Sequence, residues 1–229
     1  MKLKALRLIY LFPIFFLLSF NACDDMDDYS SDPKHTLCFS QDTLRMDTVL
    51  TGIPTSTRQL KVYNPNKKAL LISSIILADA GKSGFRINVD GIKGNQFSDI
   101  EIAGEDSLYI FVEATLPQQD NADIRLIKDS ILFQLNGIRQ EVKLQAYAQD
   151  AFTFRGKVIE KDTLITSQRP ILIYDSISIA PNAHLTLVAG TRLYFHGKAG
   201  MQVHGRLSVA GSLSAPVVFR GDRTDRMFP

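Results

Sequence analysis

Tryptophan is absent from the 229 residues, and cysteine occurs only twice, at Cys23 and Cys38. So few thiols cannot make a disulfide framework, and an antibody-type sandwich, built on a tryptophan packed against a disulfide, is excluded. An excess of either charge is also lacking, since 26 Lys and Arg stand against 24 Asp and Glu for a formal net charge of +2. No basic stripe runs along the chain, so electrostatics give no case for a nucleic-acid partner. Equally missing are a glycine-rich phosphate loop after a strand, a G-x-S-x-G elbow and an H-E-x-x-H pair. Those patterns would mark nucleotide binding, a serine nucleophile or a zinc site, so the sequence points to no cofactor and to no catalytic residue.

Long apolar runs are scarce as well. Thirteen mostly apolar residues run from Leu8 to Phe20 with Pro13 among them, whereas a helix that spans a bilayer needs about 20. Lys2, Lys4 and Arg7 precede the run, so residues 1–22 read as a cleavable secretory signal. Ala22 is followed at once by Cys23, and Asp24, Asp25, Asp27 and Asp28 come directly after it. Removal of the signal takes away three positive charges and leaves the mature chain near −1.

The Ala22–Cys23 seam resembles a bacterial lipobox, although Phe20 and Asn21 depart from the leucine and small residue usual there. The resemblance implies that Cys23 becomes the new N-terminus and carries acyl chains such as palmitate. The aspartates resemble the Bacteroidota-type lipoprotein export signal, which implies an outer-membrane lipoprotein facing the cell exterior; the alternative is an anchor that faces the periplasm. Their charge also suits an extended acidic tether over residues 23–35.

From about residue 36 the period is two. Leu44, Met46, Thr48 and Leu50 alternate with Arg45, Asp47 and Val49, and Phe85, Ile87 and Val89 alternate with Arg86, Asn88 and Asp90, which predicts half-buried strands. Ile131, Phe133 and Leu135 run into Asn136-Gly137 and out through Ile138, Val142 and Leu144; Asn-Gly between alternating runs predicts a type I′ hairpin. Further runs at 58–63, 69–77, 98–103 and 106–116 make seven or eight strands, a count that suits an antiparallel sandwich over 36–150. The stretch TRQLKVYNPNKKALLISSIIL, with a strand ending in Asn64, resembles immunoglobulin-like domains of the ASH type, which implies a scaffold or adhesion role. Cys38, between Leu37 and Phe39, reads as a small buried hydrophobe.

From residue 177 a short unit returns, an apolar pair followed by glycine: Leu185/Leu187 with Gly190, Leu193/Phe195 with Gly197, Met201/Val203 with Gly205, Leu207/Val209 with Gly211 and Val217/Phe219 with Gly221, after Ile177/Ile179. Three units span 24, 22 and 24 residues, the length of one coil of three short strands. Stacked coils place Ile177 under Met201, Leu185 under Leu207, Leu193 under Val217 and Phe195 under Phe219, with Tyr194 facing out and glycines at corners that need positive φ. The repeat over 151–229 resembles the opening of a right-handed parallel β-helix of the pectin-lyase-like kind. The fold class is therefore all-β, a sandwich followed by β-helix coils. With only two full coils visible, the resemblance implies further coils beyond Pro229 and any catalytic residues among them.

Candidates for chemistry are sparse. His35, His184, His196 and His204 are scattered, with Arg220 stacked on His196 and Arg206 on His184, so no metal site is expected. Asp222 and Asp225 lie among Arg220, Arg223 and Arg226 and read as a solvated corner. Two functions fit: a membrane-anchored lipoprotein that binds a glycan or a surface protein, or the N-terminal part of a β-helix polysaccharide lyase or hydrolase.

Overall fold

A computed structural model describes residues 29–166 and 168–223, so the signal, Cys23 and the four aspartates of the export signal lie outside the described residues, as do Asp225 and Arg226. No helix occurs among the described residues. Ten strands come first: β1 (Cys38–Phe39), β2 (Thr43–Leu50), β3 (Arg58–Tyr63), β4 (Leu70–Leu77), β5 (Phe85–Val89), β6 (Ile92–Gly94), β7 (Gln96–Ile102), β8 (Ser107–Ala114), β9 (Arg125–Leu135) and β10 (Ile138–Gln149). They form two five-stranded sheets, β1-β3-β8-β5-β6 and β2-β10-β9-β4-β7. Neighbours run antiparallel except β2, which lies parallel to β10.

Alternation turns one face of each sheet inward. Leu60, Val62, Ile87, Ile110 and Val112 of the first sheet share one core with Leu44, Ile72, Ile75, Phe133 and Leu144 of the second, each burial contributing about 1.5–3 kcal/mol. Leu135 pairs with Ile138 across Asn136 and Gly137, whose φ values of 48° and 75° fit the expected type I′ turn. Asn64, 1% exposed, closes the turn after β3. Its amide donates to the carbonyls of Lys68, Ile102 and Ala103 and its oxygen accepts from the Asn66 backbone.

Two expectations fail here. Cys38 is exposed, because Leu37 takes the inward position and Phe39 packs against the core. In β2 the inward series breaks: Gln145 faces Arg45 while Tyr147 faces Thr48, so Met46 and Asp47 together oppose Ala146. This bulge puts Val49 in the sandwich core and sends Leu50 to the other side.

Eight strands follow: β11 (Phe152–Ile159), β12 (Thr163–Ile165), β13 (Ile171–Ile179), β14 (His184–Val188), β15 (Arg192–Phe195), β16 (Gly200–Val203), β17 (Arg206–Ala210) and β18 (Val218–Gly221). β11, β13, β15 and β18 stack in parallel, β12, β14 and β17 do the same, and β16 lies beside the second half of β13. These are parallel β-helix coils, about three turns of them. The stack begins at β11, a coil before the pattern from Ile177 becomes visible, because β11 is exposed along most of its length and carries little alternation. Gly156, Asp175 and Gly197, at φ of 55°, 60° and 57°, turn the same corner in successive coils.

Ile177 lies beside Met201 and Leu185 beside Leu207, as the repeat predicts. The last stack differs, with Leu193 on Phe219, Tyr194 on Arg220 and Phe195 on Gly221. The turn after β17 folds back on itself, with Gly190 and Ser212 donating to the Ala215 carbonyl, and it takes four more residues than the matching turn one coil below, since Val188 pairs with Ala210 but Arg192 with Val218. Positive φ is likewise confined to Gly190 and Gly197 among the five repeat glycines. Gly205 is needed for another reason, since a Cβ there would lie 2.3 Å from the carbonyl oxygens of both Ala180 and Ala183.

No spacer separates sandwich from coils. Gln149 ends β10, Phe152 opens β11, and Leu50, Ala151, Leu172 and Tyr194 form a buried cluster with Ile53 and Tyr174 against it. Tyr194 does point away from the coil interior, but the sandwich covers it, leaving it 7% exposed. Beside this cluster Asp150 is 1% exposed. Burial pushes its carboxyl up, but hydrogen bonds from the Asn121 and Gln119 backbones, the Thr51 side chain and the Arg125 guanidinium outweigh that and hold it below the usual carboxylate range.

Candidate functional site

Parallel stacking repeats each outward position one coil higher, so side chains of unlike chemistry can be brought into a column. Arg155 pairs with Tyr174 in register, and one coil on, the backbone of His196 donates to the Ile173 carbonyl and that of Asp222 to the Phe195 carbonyl. The resulting column is Arg155, Tyr174, His196 and Asp222. The Arg155 guanidinium lies 4.3 Å from the Tyr174 ring centroid, and the Tyr174 and His196 rings are 4.6 Å apart with planes at 44°. Arg155 also reaches Asp175 at 3.7 Å, an exposed pair that adds little stability.

At the end of the column His196 Nδ1 lies 2.6 Å from Asp222 Oδ2. The Asp222 side chain is 8% exposed, whereas that of His196 is 48% exposed. The imidazole is thus held through Nδ1 on the Asp222 carboxyl, which leaves Nε2 as its remaining ring nitrogen. Asp222 is therefore not a solvated corner: it is held under the imidazole and lines a cleft of about 40 Å³ beside residues 46–58 of the sandwich. The cleft has room for a water molecule. In the same wall Arg58 and Asp47 are 3.5 Å apart.

The other histidines lie elsewhere. His184 pairs with Arg206 as expected, its Nε2 lies 2.7 Å from Ser208 Oγ and its backbone donates to Asp162. His184 and His204 share one shallow depression with Asp162 and Arg206, a proximity the sequence reading missed. His35 Nδ1 contacts Ser30 Oγ at 2.6 Å near the start of the sandwich. Among the described residues no group of three or more His, Cys, Asp or Glu is placed to hold a metal ion. Cys23 and Asp24, Asp25, Asp27 and Asp28, the predicted anchor and export residues, lie outside the described residues. Arg155 and Tyr174 carry no signal in the inward apolar pairs of the repeat, and the charges around Asp222 suggest a solvated corner rather than a partner for His196. The signal that finds them is the residue just before each corner, taken coil by coil.

No family model matches the sequence, and neither does any curated protein. Parts of the chain are similar to solved structures. A family 123 glycoside hydrolase from Clostridium perfringens matches at 10% identity and a TM-score of 0.34 over 53% of this chain and 26% of that one. The VesB protease of Vibrio cholerae matches at 10% and 0.33 over 49% and 31%. The periplasmic chaperone SfaE matches at 15% and 0.33 over 50% and 58%. The chain thus spans less than two thirds of each, and TM-scores this low carry no argument about function.

Proposed function

We propose that this chain is a lipoprotein anchored through Cys23 in the outer membrane, facing the cell exterior, and that its sandwich and coils form one binding or adhesion module for a glycan or a surface protein. The observation that supports the module most is the junction. β10 passes into β11 over a buried cluster in which Leu50 of the sandwich packs with Leu172 and Tyr194 of the coils, and this cluster ties the two together. Such a unit presents its coils and its sandwich as one surface. We read the sandwich as immunoglobulin-like of the ASH type, with the buried Asn64 turn in support, and the coils as the start of a right-handed pectin-lyase-like helix.

The anchor and the display are tested together. Acyl-lipid labelling of the wild type is expected and of Cys23→Ser is not, while replacing Asp24, Asp25, Asp27 and Asp28 by alanine keeps the label but removes protease accessibility on whole cells. Equal labelling of wild type and Cys23→Ser would reject the anchor, and unchanged accessibility would reject the export reading. A second reading, part of a β-helix polysaccharide lyase or hydrolase, is favoured by one observation, the solvent-facing imidazole held on a buried carboxylate. Cleavage of polygalacturonate by the wild type and not by His196→Ala would support it.

A further inference from the structure

We infer that the outer face of the first sandwich sheet is a binding site for an acidic polysaccharide, centred on Phe111. The inference rests on the reading of the chain as an extracytoplasmic binding module and names the ligand class. β8 is the middle strand of its sheet, and Tyr109, Phe111 and Glu113 are its outward residues. Registers on both sides place Gln59 and Asn88 directly beside Phe111, Lys61 beside Tyr109 and Arg86 beside Glu113. The core does not require a phenyl ring there, since Ile110 and Val112 already fill the inner face.

Phe111 is the wall shared by two depressions, one of about 550 Å³ that includes Gln59 and one of about 400 Å³ that includes Asn88, Arg86 and Lys93. A pyranose has an apolar C–H face and a rim of hydroxyls. An aromatic ring between two carboxamides matches both, because each carboxamide offers donors and an acceptor. One of those acceptors is unmet: Asn88 Oδ1 is closed off from water and has no hydrogen-bond partner.

Charge selects the acidic class. Arg86 is matched by Glu113 at 3.6 Å and Arg58 by Asp47 at 3.5 Å. Among the described residues Lys61 and Lys93, on opposite sides of the aromatic strip, have no carboxylate within ion-pair distance. The Lys61 ammonium lies 4.7 Å from the Tyr63 ring centroid and 5.4 Å from that of Tyr109, and both rings are open to solvent at 37% and 43% exposure. An anionic group docked on Lys61 thus has an aromatic surface beside it, and Lys93 offers a second anchor across Phe111.

The test is titration of the whole chain in detergent with polygalacturonate, chondroitin sulfate and neutral dextran. Either acidic polymer is expected to bind and dextran to bind at least about tenfold more weakly. Phe111→Ala should weaken binding about tenfold, and Lys61→Gln with Lys93→Gln should weaken it and flatten its salt dependence. Tyr109→Ala, checked with Phe111→Ala for an unchanged melting curve, gives a second aromatic reading should Phe111→Ala unfold. Failure of both acidic polymers to bind, equal binding of dextran, or full binding by folded variants lacking the ring or the lysines would overturn the proposal. The measurement uses purified protein, so a failed acyl label would reject the anchor and leave this result standing on its own.

Discussion

Replacing Tyr194 by alanine tests whether sandwich and coils are one cooperative unit. The ring is 7% exposed and packs with Leu50, Ala151 and Leu172, and the Arg220 guanidinium lies 6.0 Å from its centroid. Truncating a buried aromatic costs about 3–5 kcal/mol in a closed core. This cluster is small and its neighbours Ile53 and Tyr174 are only partly buried, so a loss just under that range, about 2–3 kcal/mol, is expected. For a chain of this size each kcal/mol moves the melting temperature by about 2–4 °C, giving a fall of about 4–12 °C. The comparison is Phe219→Ala, another aromatic of the same coils but 43% exposed, which should cost about 1 kcal/mol or less. Circular dichroism melts of wild type, Tyr194→Ala, Leu50→Ala and the double variant would also show a coupling of about 0.5–3 kcal/mol between the pair. A wild type that melts in two separate steps, or equal losses at Tyr194 and Phe219, would refute the idea that the sandwich closes over the coil.

Gly205→Ala drives a methyl against two carbonyl oxygens at 2.3 Å and should destabilise by about 2–3 kcal/mol, whereas Gly221→Ala, which meets nothing within 4 Å, should leave the melt unchanged; equal behaviour would reject the close packing of that corner. The carboxyl of Asp150 is depressed in the folded protein, so its stabilising contribution is present above the ordinary carboxylate pKa of about 4 and is lost as pH falls through the lower folded value. Urea midpoints from pH 7 to pH 2 should therefore fall more steeply in wild type than in Asp150→Asn, and parallel curves would show that the hydrogen bonds onto Asp150 do not favour its ionised form.

Much of this architecture was legible because period and punctuation were both present. Asn136-Gly137 between alternating runs specified a hairpin without help from the rest of the chain, and the apolar pairs at 177, 185, 201 and 207 found their true partners one coil on. What failed has a common cause. Alternation reports which side of its own strand a residue faces, and it holds only while register is kept. One extra residue in β2 moved Leu50 out of the sandwich core, and a longer turn after β17 moved Phe219 from Phe195 to Leu193.

A second limit is that facing outward does not mean facing water. Tyr194 and Phe111 sit on outer faces of their sheets and Asp222 just past the end of β18, yet the sandwich covers the first, the second stands half-buried between two depressions and an imidazole lies on the third. Periodicity treats them alike, because what covers an outer position comes from a segment far away in sequence. Residues 46–58 illustrate this: they lie about a hundred residues before the coils and still form the wall beside Asp222. Functional side chains in a chain built from sheets and coils belong to this outer set, since the inner one is filled by the core. A reading that follows the inner set therefore recovers the fold first and the candidate sites last. The column from Arg155 to Asp222 belongs to that outer set, one residue per coil just before the corner.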